Sequence, residues 1–217
     1  MDWKAWHDAY DRPDSALTAR LRLVQQQIRA AIDDCGPGPI RVMSLCAGQG
    51  RDLIGALADH PRKADVRTLL VELDPRNVDI GRKMAMAAGL TALEFIAGDA
   101  AMTDHYREIA PADLVVACGI FGNLSDQHCQ RLISFLPRLC RSGGDVIWTH
   151  NRRPPDRVPQ ICLWFRENGF EEQWLSAATE PFGIGRHRMT GPAQPLIPGD
   201  RMFEFLPDDE LAARCNR

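Results

Sequence analysis

Two hydrophobic rhythms alternate along this chain from residue 15 onward: short apolar runs bounded by Gly, Pro or Asp, and stripes of apolar residues spaced three and four apart. Ile40 to Leu45 follows Gly36-Pro37-Gly38-Pro39 and reads as a buried strand leaving a linker. Thr68 to Glu72, Leu93 to Ala97, Asp113 to Cys118 and Asp145 to Thr149 predict further short strands. Between them lie helices. Ser15 is placed to cap one running to about Asp34, with Leu17, Leu21, Val24, Ile28 and Ala31 as its apolar stripe. Leu53, Ile54 and Leu57 give the next its face, and Asp74-Pro75 supplies a cap and a first-turn proline for a third, closed after Ala88 by Gly89. Helical stretches are expected near 103–109 and 126–139. In the last third, Val158, Ile161, Cys162 and Phe165 share a helix face that Asn168-Gly169 ends. Phe170 to Leu175 and Met202 to Leu206 predict two more strands, and the Gly- and Pro-rich residues 179–200 a long connection reaching over a pocket. Strands alternating with helices in this way specify an α/β fold, a parallel sheet with helices on both faces.

The chemistry gathers where three of these runs end. After the first comes Cys46-Ala47-Gly48-Gln49-Gly50-Arg51-Asp52, in which two glycines let the backbone reverse without a Cβ and open onto a helix N-terminus. The second run ends in Glu72, roughly the ~20 residues beyond the turn at which an acid can accept from ribose hydroxyls. The third ends in Gly98-Asp99-Ala100, where Asp99 could accept from an adenine amino group. A dinucleotide fingerprint wants Gly or Ala where this chain has Leu53, and Asp52 would repel a pyrophosphate while suiting a ligand that carries an ammonium. S-adenosylmethionine has that ammonium and no phosphate.

These three motifs resemble the class I, S-adenosylmethionine-dependent methyltransferases over residues 36 to 206, and more narrowly the small actinobacterial members of that family. The resemblance implies a Rossmann-like, seven-stranded, mostly parallel sheet in the order 3-2-1-4-5-7-6 with strand 7 antiparallel. It implies a domain over 36–217 with residues 1–35 as an N-terminal helical cap, one globular unit overall. Gly48 and Gly50 would then face the methionine part with Ala47, Gln49 and Asp52, Glu72 the ribose, Leu73 the adenine face, and Asp99 with Ala100 the adenine edge. Cys118 and Gly119 would complete the cofactor site. Two departures stand out: Cys46 replaces the usual first glycine, and Ser44 stands where an acid often sits.

Acceptor and catalytic candidates lie on loops after the strands. Asn123, in Gly119-Ile120-Phe121-Gly122-Asn123, is a candidate for binding acceptor or cofactor, against an ordinary turn Asn. His150 is a candidate base, against a surface or hydrogen-bonded His, and His105 and Tyr106 have similar standing. Arg152, Arg153, Arg186, His187 and Arg188 would bind an anionic acceptor if they converged, and are a solvated charge run otherwise. Tyr10 is a candidate lid or acceptor contact, whereas Trp3 and Trp6 read as packing. His7, His60 and His128 read as structural or exposed, Trp148, Trp164 and Trp174 as core, and Asp208 to Glu210 as a solvated tail.

Composition narrows the partners. With 217 residues one domain is expected, and a formal net charge of −3 argues weakly against a nucleic-acid partner, whose phosphates usually call for a basic face. Seven cysteines form neither a disulfide framework nor a CxxC metal motif, which with the polar start and the lack of a bilayer-length apolar run favours the cytoplasm. The expected activity is methyl transfer to oxygen or nitrogen of a small polar metabolite, without a metal, a nucleic acid or a membrane, and a homodimer is compatible with it. The Asn-Pro-Pro-aromatic signature of many amine and nucleic-acid methyltransferases is absent. The alternatives are a relative that binds S-adenosylmethionine or a partner without turnover, and an NAD(P)-dependent oxidoreductase.

Overall fold

The computed structural model describes residue 10, residues 15–207 and residues 209–211. The expectations for Trp3, Trp6, His7 and Asp208 lie outside them. A seven-stranded sheet runs in the order β3-β2-β1-β4-β5-β7-β6. Its strands are β1 (Ile40–Leu45), β2 (Val66–Glu72), β3 (Leu93–Ala97), β4 (Ala112–Ala117), β5 (Cys140–Asn151), β6 (Phe170–Leu175) and β7 (Phe182–Met189). The first five pair in parallel, and β7 lies antiparallel between β5 and β6. The helices are α1 (Ala16–Asp33), α2 (Arg51–Leu57), α3 (Pro75–Ala87), α4 (Asp126–Leu139) and α5 (Val158–Glu167). Among the described residues no helix is long and apolar enough to cross a membrane.

Local chemistry explains the element ends. The Ser15 side chain accepts from Thr18 N and starts α1, and Asp74 caps α3 ahead of Pro75. Side chains from the two faces of the sheet build two apolar layers, one holding Leu45, Val71 and Trp148, the other Val42, Leu70 and Ile147. Successive strand residues point to opposite faces, so strands covered on both sides are mostly apolar. The expected stripe of α1 is buried at Val24, Ile28 and Ala31, while toward its N-terminal end Arg20 is buried and Leu17 and Leu21 are half-buried. The expected helix over 103–109 is only a 3-10 turn, Thr103–Tyr106.

The last third corrects the sequence reading. The seventh strand is Phe182–Met189, inside the stretch expected to be a long connection. Its glycines have a packing reason: a Cβ on Gly185 would lie 2.5 Å from the Trp148 indole, and one on Gly183 2.2 Å from Val158. Met202 to Leu206 stays outside the sheet and belongs to a strap that crosses the strand ends. Single bridges at Met102↔Arg201 and Leu124↔Phe205, with Met202 N donating to Ala101 O at 2.8 Å and Leu206 N to Asn123 O at 2.9 Å, hold it there.

His187 of β7 is 1% exposed and stacks on Phe165 at 4.5 Å, and its Nδ1 accepts from Trp148 Nε1 at 3.1 Å. Burial lowers its pKa from 6.5 to about 4, so the folded protein keeps the ring neutral. Between those two values the unfolded chain binds a proton that the folded one rejects, so this contribution is complete above pH 6.5 and is lost as pH falls toward 4. Urea titrations are expected to show roughly 3 kcal/mol of stability lost to this group by pH 4. His187→Gln should flatten that part of the profile, and an unchanged profile would contradict the assignment.

Candidate active site

The turn after β1 is left-handed at alternate residues: Cys46, Gly48 and Gly50 have φ of 48°, 56° and 67°. Cys46 is the one non-glycine residue with positive φ among those described, which shows why the first position of this turn favours glycine. Backbone bonds close the turn onto β2, with Ala47 N donating to Val71 O at 3.0 Å and Gly50 N to Ala47 O at 2.8 Å. Glu72 ties it to the next helix: its Oε2 accepts from Gly48 N and its Oε1 from Asp74 N, each at 2.9 Å.

Beside the turn lies a cavity of about 250 Å³. Cys46, Ala47, Gly48 and Asp52 form one wall, Glu72, Leu73, Asp99 and Ala100 another, and Cys118, Gly119 and Asn123 the side toward β4. Tyr10 and α1 close one end, while Arg201, Phe203, Glu204 and Phe205 of the strap roof the other. The loops after β1, β2, β3 and β4 thus meet at the carboxyl edge of the sheet, the usual ligand position in an open α/β sheet. Two residues of the turn do not take part. A Cβ on Gly50 would lie 2.8 Å from Leu70 and Phe95, so its small size serves packing, and it is absent from the lining. Gln49 also points away, with Nε2 donating to Asn77 Oδ1 at 3.2 Å and Oε1 accepting from Arg51 Nε at 2.8 Å.

The acids of the cavity fit a nucleoside that bears an amino acid. Glu72 is 7% exposed, and with two lone pairs on each oxygen it can hold both backbone amides and still accept from hydroxyls. Asp99 Oδ1 accepts from Ala101 N at 3.0 Å, while Oδ2 faces Arg201 Nη2 at 2.8 Å, so an adenine amino group would share this carboxylate with a guanidinium. Burial raises the pKa of Asp52, opposed by the Leu53 amide and the charge of Arg20. Asn123 Nδ2 donates to Gly119 O at 2.8 Å and Gly119 N to Thr149 Oγ1 at 2.8 Å, which fixes the turn after β4.

Besides Gly50 and Gln49, four further expected site residues lie elsewhere. Tyr106 is fully buried beneath the cavity, with its hydroxyl donating to Ala100 O at 2.9 Å. His187 is a core residue. Arg152 Nη1 donates to Asp156 at 2.8 Å and Nη2 to Ser176 O at 3.1 Å, away from the lining. His150 lines a second cleft of about 290 Å³ with Arg153 and Arg157, and its Nδ1 bonds to Asn151 O. The arginines do not converge on an acceptor either: Arg186 and Arg188 pair with Asp34 and Asp145. Conversely, the sequence reading passed over Arg20, Arg51 and the strap. Arg20 had a signal, because it sits four residues before Val24 and eight before Ile28 on a helix face that is otherwise apolar.

One further cluster stands apart from the cavity. Cys162, Glu172 and His187 bring their ligand atoms within 4.8 Å of one another. With Nδ1 accepting from Trp148, the neutral His187 ring carries its proton on Nε2, and ligation through Nε2 would require that bond to be given up.

A sheet in this order, with a glycine turn after β1 and acids after β2 and β3, defines the class I, S-adenosylmethionine-dependent methyltransferases. The sequence profile of the family described as "Putative methyltransferase" matches residues 16–161, and the chain belongs to that family. No curated protein matches it in sequence. Among solved structures it is similar to an O-methyltransferase family protein from Burkholderia thailandensis, with 18% identity over 87% of this chain and 60% of that one and a TM-score of 0.62. It is also similar to the magnesium protoporphyrin IX methyltransferase of Synechocystis PCC 6803 with bound S-adenosylmethionine, at 14% identity over 87% and 91% of the two chains and a TM-score of 0.66. A third is the CurJ carbon methyltransferase, at 12% identity, 85% and 58% coverage and a TM-score of 0.68. The chain therefore spans about three fifths of the length of the first and third of these structures.

The left-handed backbone at Cys46 carries a stability prediction. Cys46→Gly removes a conformational cost of about 1–2 kcal/mol and is expected to unfold at equal or higher urea concentration than the native chain. Cys46→Val should lower stability by about 1–2 kcal/mol, because a β-branched residue fits positive φ worst. The reverse order of the two midpoints would contradict the turn geometry.

Proposed function

We propose that the chain transfers the methyl group of S-adenosylmethionine to an oxygen or nitrogen of a small polar metabolite, with residues 1–35 as a cap on a catalytic domain over 36–217. The observation that carries this reading is one cavity lined at once by the Gly48 turn, Asp52, Glu72 and Asp99. When bound, the cofactor supplies an already activated methyl group whose departure leaves a neutral thioether. The chain's own task is then to bind and orient. Glu72 accepts from the ribose hydroxyls, Asp99 and Ala100 meet the adenine edge, and Leu73, 69% exposed at the rim, covers the adenine face. Asp52 holds the ammonium, and Cys118 and Gly119 flank the sulfur side.

Asn123 and the roof formed by Phe203 and Phe205 hold the acceptor and exclude water from the end of the cavity beside β4. A neutral amine acceptor needs only alignment there, whereas a hydroxyl would also need a proton acceptor. The strap and α1 close the cavity on two sides, which favours a small acceptor.

S-adenosylhomocysteine at a hundredfold excess over its Kd should stabilise the protein by about 2.7 kcal/mol, raising Tm by roughly 5–10 °C. Glu72→Gln, which keeps the shape of the side chain, should remove most of that shift in differential scanning fluorimetry. A native protein whose Tm is unmoved by saturating ligand would refute the reading.

A further inference from the structure

Arg20 is a guanidinium on an otherwise apolar helix face, 9% exposed, and it lines the cavity rather than the outer surface. Burying a charge in that way is unfavourable unless something compensates for it. Among the described residues, three contacts help to hold its head group. Arg20 Nη2 donates to the Tyr10 hydroxyl, the guanidinium lies 5.1 Å from the centre of the Phe182 ring, and it lies 5.9 Å from that of Tyr10. Arg51 covers the Tyr10 ring as well, at 5.8 Å. The planar fork is therefore held by aromatic faces and a phenol, in the corner where α1, the glycine turn and the end of β4 meet.

The electrostatics of that corner single it out. The charge of Arg20 lowers the pKa values of Asp52, Cys118 and Tyr10, each of which burial raises. Asp52 and Arg20 thus present a carboxylate and a guanidinium together in one cavity, on the side of Glu72 toward β1 and β4. Asp99 and Arg201 stand at the opposite, β3 side. With adenosine lying between Asp99 and Glu72, the ligand's tail reaches the Arg20 corner.

We propose that Arg20 is the specificity-determining residue for the α-carboxylate of the cofactor's amino acid tail, with Tyr10 as the residue that positions it. This rests on the S-adenosylmethionine reading above. A guanidinium fork and a carboxylate pair through two parallel hydrogen bonds, and the neighbouring Asp52 answers the ammonium of the same zwitterion. Arg20 thereby selects a nucleoside bearing a complete amino acid over one lacking it.

Isothermal titration with three nucleosides tests the proposal: S-adenosylhomocysteine, its analogue with an aminopropyl tail that keeps the amine and lacks the carboxylate, and 5′-methylthioadenosine, which lacks both. The native protein should bind the first at least tenfold more tightly than the second. Arg20→Ala and Arg20→Gln should each lose at least tenfold in affinity for S-adenosylhomocysteine while holding 5′-methylthioadenosine within about twofold. Tyr10→Phe should show a smaller loss of the same selectivity. Equal affinity of the native protein for the first two ligands, which needs no variant, would overturn the proposal, as would an equal loss for all three ligands in both Arg20 variants. A native protein that binds none of them would overturn the cofactor reading itself and this proposal with it, a distinct result.

Discussion

The carboxylate of Glu72 accepts the amide of Gly48 on one oxygen and that of Asp74 on the other, joining the turn after β1 to the cap of α3. A buried acid that satisfies two backbone donors fixes both loops at once, since losing it would leave those amides without their partner in a nearly water-free place. The left-handed steps at Cys46, Gly48 and Gly50 are the conformations that let the Gly48 amide reach it. That bond shapes one wall of the cavity, and the proposed ribose contact would use the lone pairs that the two amides leave.

Around this centre the chain arranges charge asymmetrically. Asp99 with Arg201 sits toward β3, while Asp52 with Arg20 sits toward β1 and β4. Each acid has a guanidinium near it, and both guanidiniums come from segments outside the central sheet, one from α1 and one from the strap beyond β7. The parallel sheet and its turn supply the acids, and the flanking segments supply the cations and the walls. Burial of the Cys46 and Cys118 thiols raises their pKa values, which keeps both as neutral packing groups along the cavity.

Much of this was legible in the residues. Strands covered on both faces are mostly apolar, so β1, β2 and β4 stood out as runs, and the glycine turn and the acids after β2 and β3 fell at the spacings expected of a nucleoside pocket. The end of the chain was less legible because β7 mixes Arg186, His187 and Arg188 with glycines. Its charges are paired with Asp34 and Asp145, its imidazole is neutral in the core, and its glycines make room for Trp148 and Val158, none of which a hydropathy pattern reveals. Phe203 and Phe205 alternate as a strand would, yet they serve as a roof, because neighbours in space and not periodicity decide whether a run joins a sheet. In the same way His150, near the end of β5, and Arg152, just after it, lie away from the cavity, which chain order alone does not reveal.

A crystal structure of the protein with S-adenosylhomocysteine is the most direct measurement. Both ribose hydroxyls within about 3 Å of the Glu72 carboxylate, with the adenine beside Asp99, are expected. A nucleoside found in the second cleft by His150, or one in the cavity whose ribose turns away from Glu72, would contradict the central claim.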